Sequence, residues 1–176
     1  VSSTNSMKKT LAILSLMAAF SVFTAAQPAV YPASKGESAF TIHLMGDSTM
    51  AHKDLSGGNP ERGWGMMFPN FLDGGVEVIN YARNGRSTKS FIDNGDWNNV
   101  KANLKKGDYV FIQFGHNDSK ESDTTRYAAP WGAYSDNLRL FVRTVREAGA
   151  VPVLLTPVSR RWFKEGKLDL DCHGDY

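Results

Sequence analysis

Four short apolar runs recur along the chain at Phe40–Met45, Val76–Asn80, Tyr109–Phe114 and Val151–Leu155. Each has the length of a buried strand, and helix-like stretches separate them. Trp64–Leu72 is apolar, with Pro69 limiting or kinking any helix there. Trp97–Leu104 has the length of a short helix. Between the third and fourth runs, Tyr134, Leu138, Phe141, Val142 and Val145 fall at helical spacing and form one apolar stripe. Arg139, Arg143 and Arg146 lie off that stripe, on what reads as a solvated face, and Gly149 supplies a helix stop. Such alternation of strand and helix calls for a parallel sheet covered on both faces. The expected fold class is α/β, a three-layer sandwich with the flavodoxin-like strand order 2-1-3-4-5.

Three of these runs lead into loops that carry chemistry. Gly46-Asp47-Ser48-Thr49 follows the first, Asn84-Gly85-Arg86-Ser87 follows the second after a short gap, and Gly115-His116-Asn117-Asp118 follows the third. Successive motifs lie roughly 35 residues apart, about one βαβ unit. In the order 2-1-3, all three loops meet at the carboxyl edge of the sheet, where α/β proteins gather their ligands. Ser48, expected where a strand turns into a helix, is the candidate nucleophile. Attack on an ester carbonyl puts negative charge on its oxygen, and three donors suit that charge. They are the backbone N–H of Ser48, the N–H of Gly85 and the side-chain amide of Asn117. Glycine fits the second place because its backbone approaches a ligand closely and adopts positive φ.

Each of these residues also has a plainer use. Ser48 alone suits a helix N-cap, and Gly85 suits any tight turn. Trp64 fits a ligand cleft or the core, and Arg86 fits an anionic ligand or an ordinary salt bridge. Asp47 and Asp118 suit loop bracing. His116 as a general base, or His173 with Asp169 as a local dyad, are the alternatives the chain offers for the missing proton acceptor.

Composition removes several function classes. A net charge of +2 with mixed signs leaves no basic footprint for nucleic acid. The one cysteine, Cys172, forms no internal disulfide and no cysteine-rich zinc site. His43, His52, His116 and His173 are scattered without metal-ligand spacing, so no metal is expected. With 176 residues, 41% of them apolar, one domain with an ordinary core is expected. Residues 1–26 read as upstream sequence and a signal peptide: Met7-Lys8-Lys9 is basic, Leu11–Phe23 is apolar, and Thr24-Ala25-Ala26 is small. The apolar stretch is short for the ~20 residues of a membrane span. Residues 27–38 read as a linker and 39–176 as the functional domain. The leader implies a secreted or periplasmic protein with no stable membrane association after cleavage. Asn117-Asp118-Ser119 matches a glycosylation sequon, but the bacterial-looking leader and the buried role expected of Asn117 argue against modification.

Gly46-Asp47-Ser48-Thr49, Gly85 and Gly115-His116-Asn117-Asp118 together resemble the first three blocks of the SGNH (GDSL-type) hydrolases. More narrowly, Asp47-Ser48-Thr49-Met50, Gly63-Trp64-Gly65, Asn84-Gly85-Arg86-Ser87-Thr88 and Phe114-Gly115-His116-Asn117-Asp118 are similar to the rhamnogalacturonan acetylesterases. Thr156-Pro157-Val158 with Arg160-Arg161 fits bacterial members, and the similarity runs from about Phe40 to Tyr176. This resemblance implies removal of acetyl groups from sugar hydroxyls of the pectin backbone, without metal or cofactor. It implies a nucleophile at Ser48 and an oxyanion hole of Ser48, Gly85 and Asn117, with Asp47, Trp64, Arg86 and His116 as candidate substrate-binding residues. The implied partner is an acetylated plant cell-wall polysaccharide or oligosaccharide.

One departure stands out. The family takes its general base from an Asp-x-x-His block after a fifth strand, whereas Leu170 stands three residues before His173. The expectation is therefore a C-terminally truncated fragment, lacking the last strand and the base and inactive alone. Two other functions stay open at this point. One is an SGNH esterase on another acyl substrate, such as acetyl-xylan or a lipid ester; the other is an inactive glycan-binding remnant.

Overall fold

The computed structural model describes residues 27–33, 36, 38–169 and 171–176; the expected leader lies outside the described residues. In chain order the elements are β1 (Ala29–Tyr31), β2 (Thr41–Gly46), α1 (Trp64–Met67), β3 (Glu77–Asn80), α2 (Thr88–Asp93), α3 (Asp96–Asn103), β4 (Tyr109–Gln113), α4 (Ser135–Glu147), β5 (Val151–Leu155), β6 (Phe163–Lys164) and β7 (Lys167–Leu168). The five larger-sheet strands run in the order β1-β3-β2-β4-β5, with β3, β2, β4 and β5 parallel. Counting from β2, the parallel part reads second-first-third-fourth, the order expected for this fold class. Gly46 pairs with Gln113, so the ends of β2 and β4 are level and their following loops start side by side.

The strands alternate between two cores, as period-two side chains must. Ile42 and Leu44 of β2 and Phe111 of β4 face one core with Met50, Trp64 and Phe68. Met45 of β2 and Val110 and Ile112 of β4 face the other, with Phe91, Trp97, Val100, Phe141 and Val145. Helix α4 buries Phe141 and Val145 from its stripe, while Arg139 and Arg143 lie largely in solvent. Pro69 falls in a 3-10 turn, Phe68–Phe71, that ends α1 after one turn, as its missing N–H dictates.

A strand, a helix and a hairpin depart from the sequence reading. The presumed linker 27–38 contributes β1, which pairs antiparallel with β3, Ala29 opposite Asn80. Three residues carry too little periodicity to register as a strand, and only the free edge of β3 makes them one. Helix α2 is also short; Ser87 caps it by accepting from Ser90 N, while Ser90 Oγ accepts from Ser87 N. The hairpin β6–β7 turns through Glu165 and Gly166, both at positive φ, the geometry of a tight two-residue turn.

On its outer side β5 is the sheet edge. Leu154 is 54% exposed there. With Leu138 and Val142 it lines an apolar cavity of about 580 Å³, rimmed by Arg139, Arg143, Arg146 and Glu147. None of the three motifs touches that cavity.

Candidate active site

The loops after β2, β3 and β4 form one edge of the sheet. After Gly46 the chain makes a tight turn in which Met50 N and Ala51 N both donate to Asp47 O. Only a 3-10 turn at Ser56–Gly58 precedes the first α-helix at Trp64, and Ser48 caps neither, contrary to the expected strand-to-helix step; the capping serine is Ser87. Among the described residues no hydrogen bond ties down the Ser48 hydroxyl. It lines a polar cavity of about 410 Å³ with Thr49, Lys53, Glu61, Arg62 and Asn84. Gly63 lets the following segment tuck beneath this turn, since a side chain there would begin 2.0 Å from Ala51 O.

The turn is braced from inside. Asp47 is buried, and its Oδ1 accepts from Thr49 N and Thr49 Oγ1 at 2.8 Å each. Its carboxylate thus holds the loop rather than facing the cavity. Gln113, at the end of β4, collects three parts of the site. Its Oε1 accepts from Trp64 Nε1 at 2.7 Å and Thr49 Oγ1 at 3.2 Å, and its Nε2 donates to Thr156 O. Trp64 is half-buried, stacks edge-on against Phe68 and belongs to the core beneath the serine turn.

Gly85 adopts φ +75°, the left-handed conformation a side chain resists. It lines a second polar cavity, again about 410 Å³, with Asn84, Arg86, Ser90 and Arg126 among its walls. Asn84 borders both cavities, so the serine and the glycine turn are neighbours across one residue. Lys53 Nζ donates to Asn84 Oδ1 at 2.8 Å and holds that divider. Arg86 directs its guanidinium to Asp96, with Nε 2.6 Å from Oδ2, so the salt-bridge reading describes its side chain.

The third motif supplies the link between loops. Asn117 is 3% exposed, and its Nδ2 donates to Arg86 O at 2.8 Å. Asp118 is fully buried and accepts from Thr88 N, Thr88 Oγ1 and Gly115 N. Burial nonetheless pushes its carboxyl up to about 6, the donors opposing the shift. His116 Nδ1 meets His173 Nε2 at 3.0 Å, and Arg160 Nη2 donates to His116 O at 2.7 Å. Burial, followed by the nearby Arg160 charge, holds His116 below the usual histidine range. His173 is likewise lowered, by burial, then His116, then Arg160.

These contacts decide between the candidates for a base. His116 and His173 hold each other, and Asp169 takes Lys164 at 3.0 Å instead of His173. The remaining pair that looks catalytic, His43 with Asp108 at 3.0 Å, is buried with Asp108 at the start of β4, the opposite end from the motifs. His52 bonds Tyr31. Among the described residues no histidine hydrogen-bonds Ser48. The sequence reading had no place for Gln113, Lys120 and Arg126, and Arg160 entered it only through the resemblance. A polar glutamine closing an apolar strand was a usable signal for the first; the three cations are ordinary surface residues until the fold brings them to the third motif.

A serine whose hydroxyl has no hydrogen bond among the described residues, a left-handed glycine turn beside it and a buried asparagine linked to that turn stand together at one edge of the sheet. The sequence matches the profile described as GDSL-like Lipase/Acylhydrolase over residues 42–176. The chain belongs to the GDSL-like lipase/acylhydrolase family. It is 40% identical over 135 residues to rhamnogalacturonan acetylesterase RhgT of Bacillus subtilis (strain 168), covering 77% of this chain and 56% of that protein. It is 34% identical to the probable rhamnogalacturonan acetylesterase YesY of the same organism, covering 71% and 57%. The crystal structure of protein YxiM from Bacillus subtilis superposes with a TM-score of 0.63 at 28% identity, covering 69% of this chain and 34% of that one. This GDSL-family chain thus spans little more than half the length of the curated relatives it matches.

Proposed function

We propose that this GDSL-family protein is a carbohydrate acetylesterase acting on acetylated rhamnogalacturonan, with Ser48 as nucleophile. Ser48 Oγ adds to the acetyl carbonyl while its proton passes to a general base. The negative oxygen is held by Ser48 N–H, Gly85 N–H and Asn117 Nδ2. Collapse expels the sugar oxygen, which takes the proton, and leaves an acetyl-serine. Water then attacks that ester, releasing acetate and restoring the serine. The described residues bring no base to Ser48, and the resemblance assigns that part to an Asp-x-x-His block.

The observation that carries the reading is the unbonded Ser48 hydroxyl in a cleft lined by Thr49, Lys53, Glu61, Arg62 and Asn84. A polar lining suits a small acyl group on a hydrated sugar; a long acyl chain needs an apolar channel. The relatives named as rhamnogalacturonan acetylesterases support the choice of polymer. In the full-length protein, Ser48→Ala is expected to lower acetate release from acetylated rhamnogalacturonan by at least about a thousandfold, with unfolding stability unchanged. Retained turnover in that variant would remove the serine mechanism. Saturable glycan binding with no acetate released by the unaltered protein would favour the binding remnant instead. The leader-like residues 1–26 support export as part of the same proposal, tested by finding the mature protein in the culture or periplasmic fraction.

A further inference from the structure

The Asn117 carboxamide has two ends, and only its NH₂ end is useful to an oxyanion. One of the two N–H bonds goes to Arg86 O, and among the described residues no acceptor takes the other. The oxygen end is held by cations. Lys120 Nζ donates to Asn117 Oδ1 at 2.8 Å, and Arg126 Nη1 lies 3.5 Å from the same atom. A flipped amide would set its oxygen against the carbonyl of Arg86 and its NH₂ against an ammonium and a guanidinium. Both contacts are repulsive, so the amide has one direction.

The cations are themselves placed. The third loop turns back through Ser119 N to Gly115 O and Lys120 N to Asn117 O, which brings Lys120 over the asparagine. Arg126 is held by Asp123, which accepts from Nε at 2.5 Å, and its Nη1 lies 3.6 Å from where a Gly85 side chain would begin. Lys120 differs from the other cations here. Arg86 has Asp96 and Arg126 has Asp123, but among the described residues no carboxylate lies within ion-pair distance of Lys120. Its one side-chain bond goes to a neutral amide oxygen, beside two like charges. Burial and the charges of Arg126 and Arg160 hold its ammonium below the usual lysine range. A half-buried lysine in that position gains little as a structural ion pair.

We propose that Lys120, backed by Arg126, is a positioning residue that fixes the Asn117 amide and sharpens its free N–H as an oxyanion donor. A cation on the amide oxygen draws density from the nitrogen and strengthens the bonds its protons make. This rests on Asn117 being an oxyanion donor, as read above. The clamp tunes a donor that acts only once charge has developed, so its loss falls on kcat rather than KM.

Two readouts separate the clamp from the reading beneath it. The first is the Asn117 side-chain NH₂ signal pair in ¹H–¹⁵N spectra of the chain, which needs no turnover. The second is kcat and KM of the full-length protein on 4-nitrophenyl acetate and on acetylated rhamnogalacturonan. Lys120→Met is expected to move the Asn117 signals toward those of a free amide and to lower kcat roughly tenfold to a hundredfold, with KM within about twofold. Lys120→Arg restores both to within a few-fold. If Lys120→Met does not fold, Lys120→Gln, which keeps a donor without charge, carries the same readouts. Unmoved Asn117 signals overturn the clamp. Unchanged kcat in Lys120→Met, alongside a hundredfold loss in Asn117→Ala, overturns its catalytic role. If Asn117→Ala itself keeps full kcat, the oxyanion reading fails, and the amide signals alone then decide the clamp.

Discussion

The two faces of the third loop hold very different things. Its inner face is part of the sheet edge: Asp118 is buried with three donors from two loops, and Asn117 reaches across to Arg86. Its outer face carries the carboxyl-terminal segment, residues 156–176, through a few side chains. Arg160 and His173 meet His116, Tyr176 OH donates to Ala128 O at 2.9 Å, and Trp131 Nε1 donates to Asp175. Between its points of attachment the segment carries Trp162 and Phe163 largely exposed, with Trp162 resting on Arg160. The inner face is welded by donors to one buried carboxylate; the outer is latched by separate, partly solvated bonds. One loop therefore shapes the oxyanion side and helps to dock a segment, and the two tasks differ in how much energy stands behind them.

The sharpest way to break the inner face is Asp118→Ala. It strands buried Thr88 N and Gly115 N, each costing on the order of 1–3 kcal/mol, so unfolding stability should fall by about 3 kcal/mol in a urea titration. A loss below about 1 kcal/mol would mean the loop is held elsewhere. On the outer face, His173→Ala should cost about 1 kcal/mol, the worth of an ordinary hydrogen bond. Its faster hydrogen exchange should be confined to residues 156–176, leaving α2 protected; exchange spreading into 88–93 would erase the distinction.

Acid should act on the same latch. His116 and His173 have folded pKa values below their unfolded ones, so their contribution is fully present above the ordinary histidine pKa of about 6.5. It is lost as pH falls through the folded values, because two charged imidazoles cannot share one N···N hydrogen bond. Exchange in 171–176 should therefore rise from pH 7 to pH 5, and His173→Ala should flatten that rise. Asp118 has the opposite sign. Its raised carboxyl favours the folded state at low pH and withdraws that support as pH climbs from about 4 through about 6. Acid should accordingly loosen the outer face before the inner one. The smallest effect is expected for Trp131→Phe. It removes one bond at a 79% exposed side chain, and stability should stay within ~0.5 kcal/mol.

Much of the fold could be read along the chain. Val151–Leu155 is a strand over those same residues, and Phe141 and Val145 of the apolar stripe are the buried positions of α4. Both are dictated locally, by periodicity and by the need to bury apolar surface. What stayed illegible depends on a partner: β1 on the edge of β3, and Gln113 on Trp64, Thr49 and Thr156 converging on it. At the site, Gly85 could be read because a left-handed turn leaves a residue type behind. Arg86 could not, since arginine serves a substrate or an aspartate equally well, and Asp96 decides it.

The sequence by itself determined the alternation of strands and helices, the parallel sense of the main strands and the kinds of atom their following loops present. Those follow from short-range pattern and from the chirality and spacing of β-α units, which act within a few tens of residues. Only the tertiary structure decided that Ser48 sits in a turn with its hydroxyl unbonded among the described residues, that His116 is engaged by His173, and that Lys120 and Arg126 hold the Asn117 amide. Hydrogen bonds are selective at the scale of tenths of an ångström. No spacing in the chain specifies such distances until the core has packed.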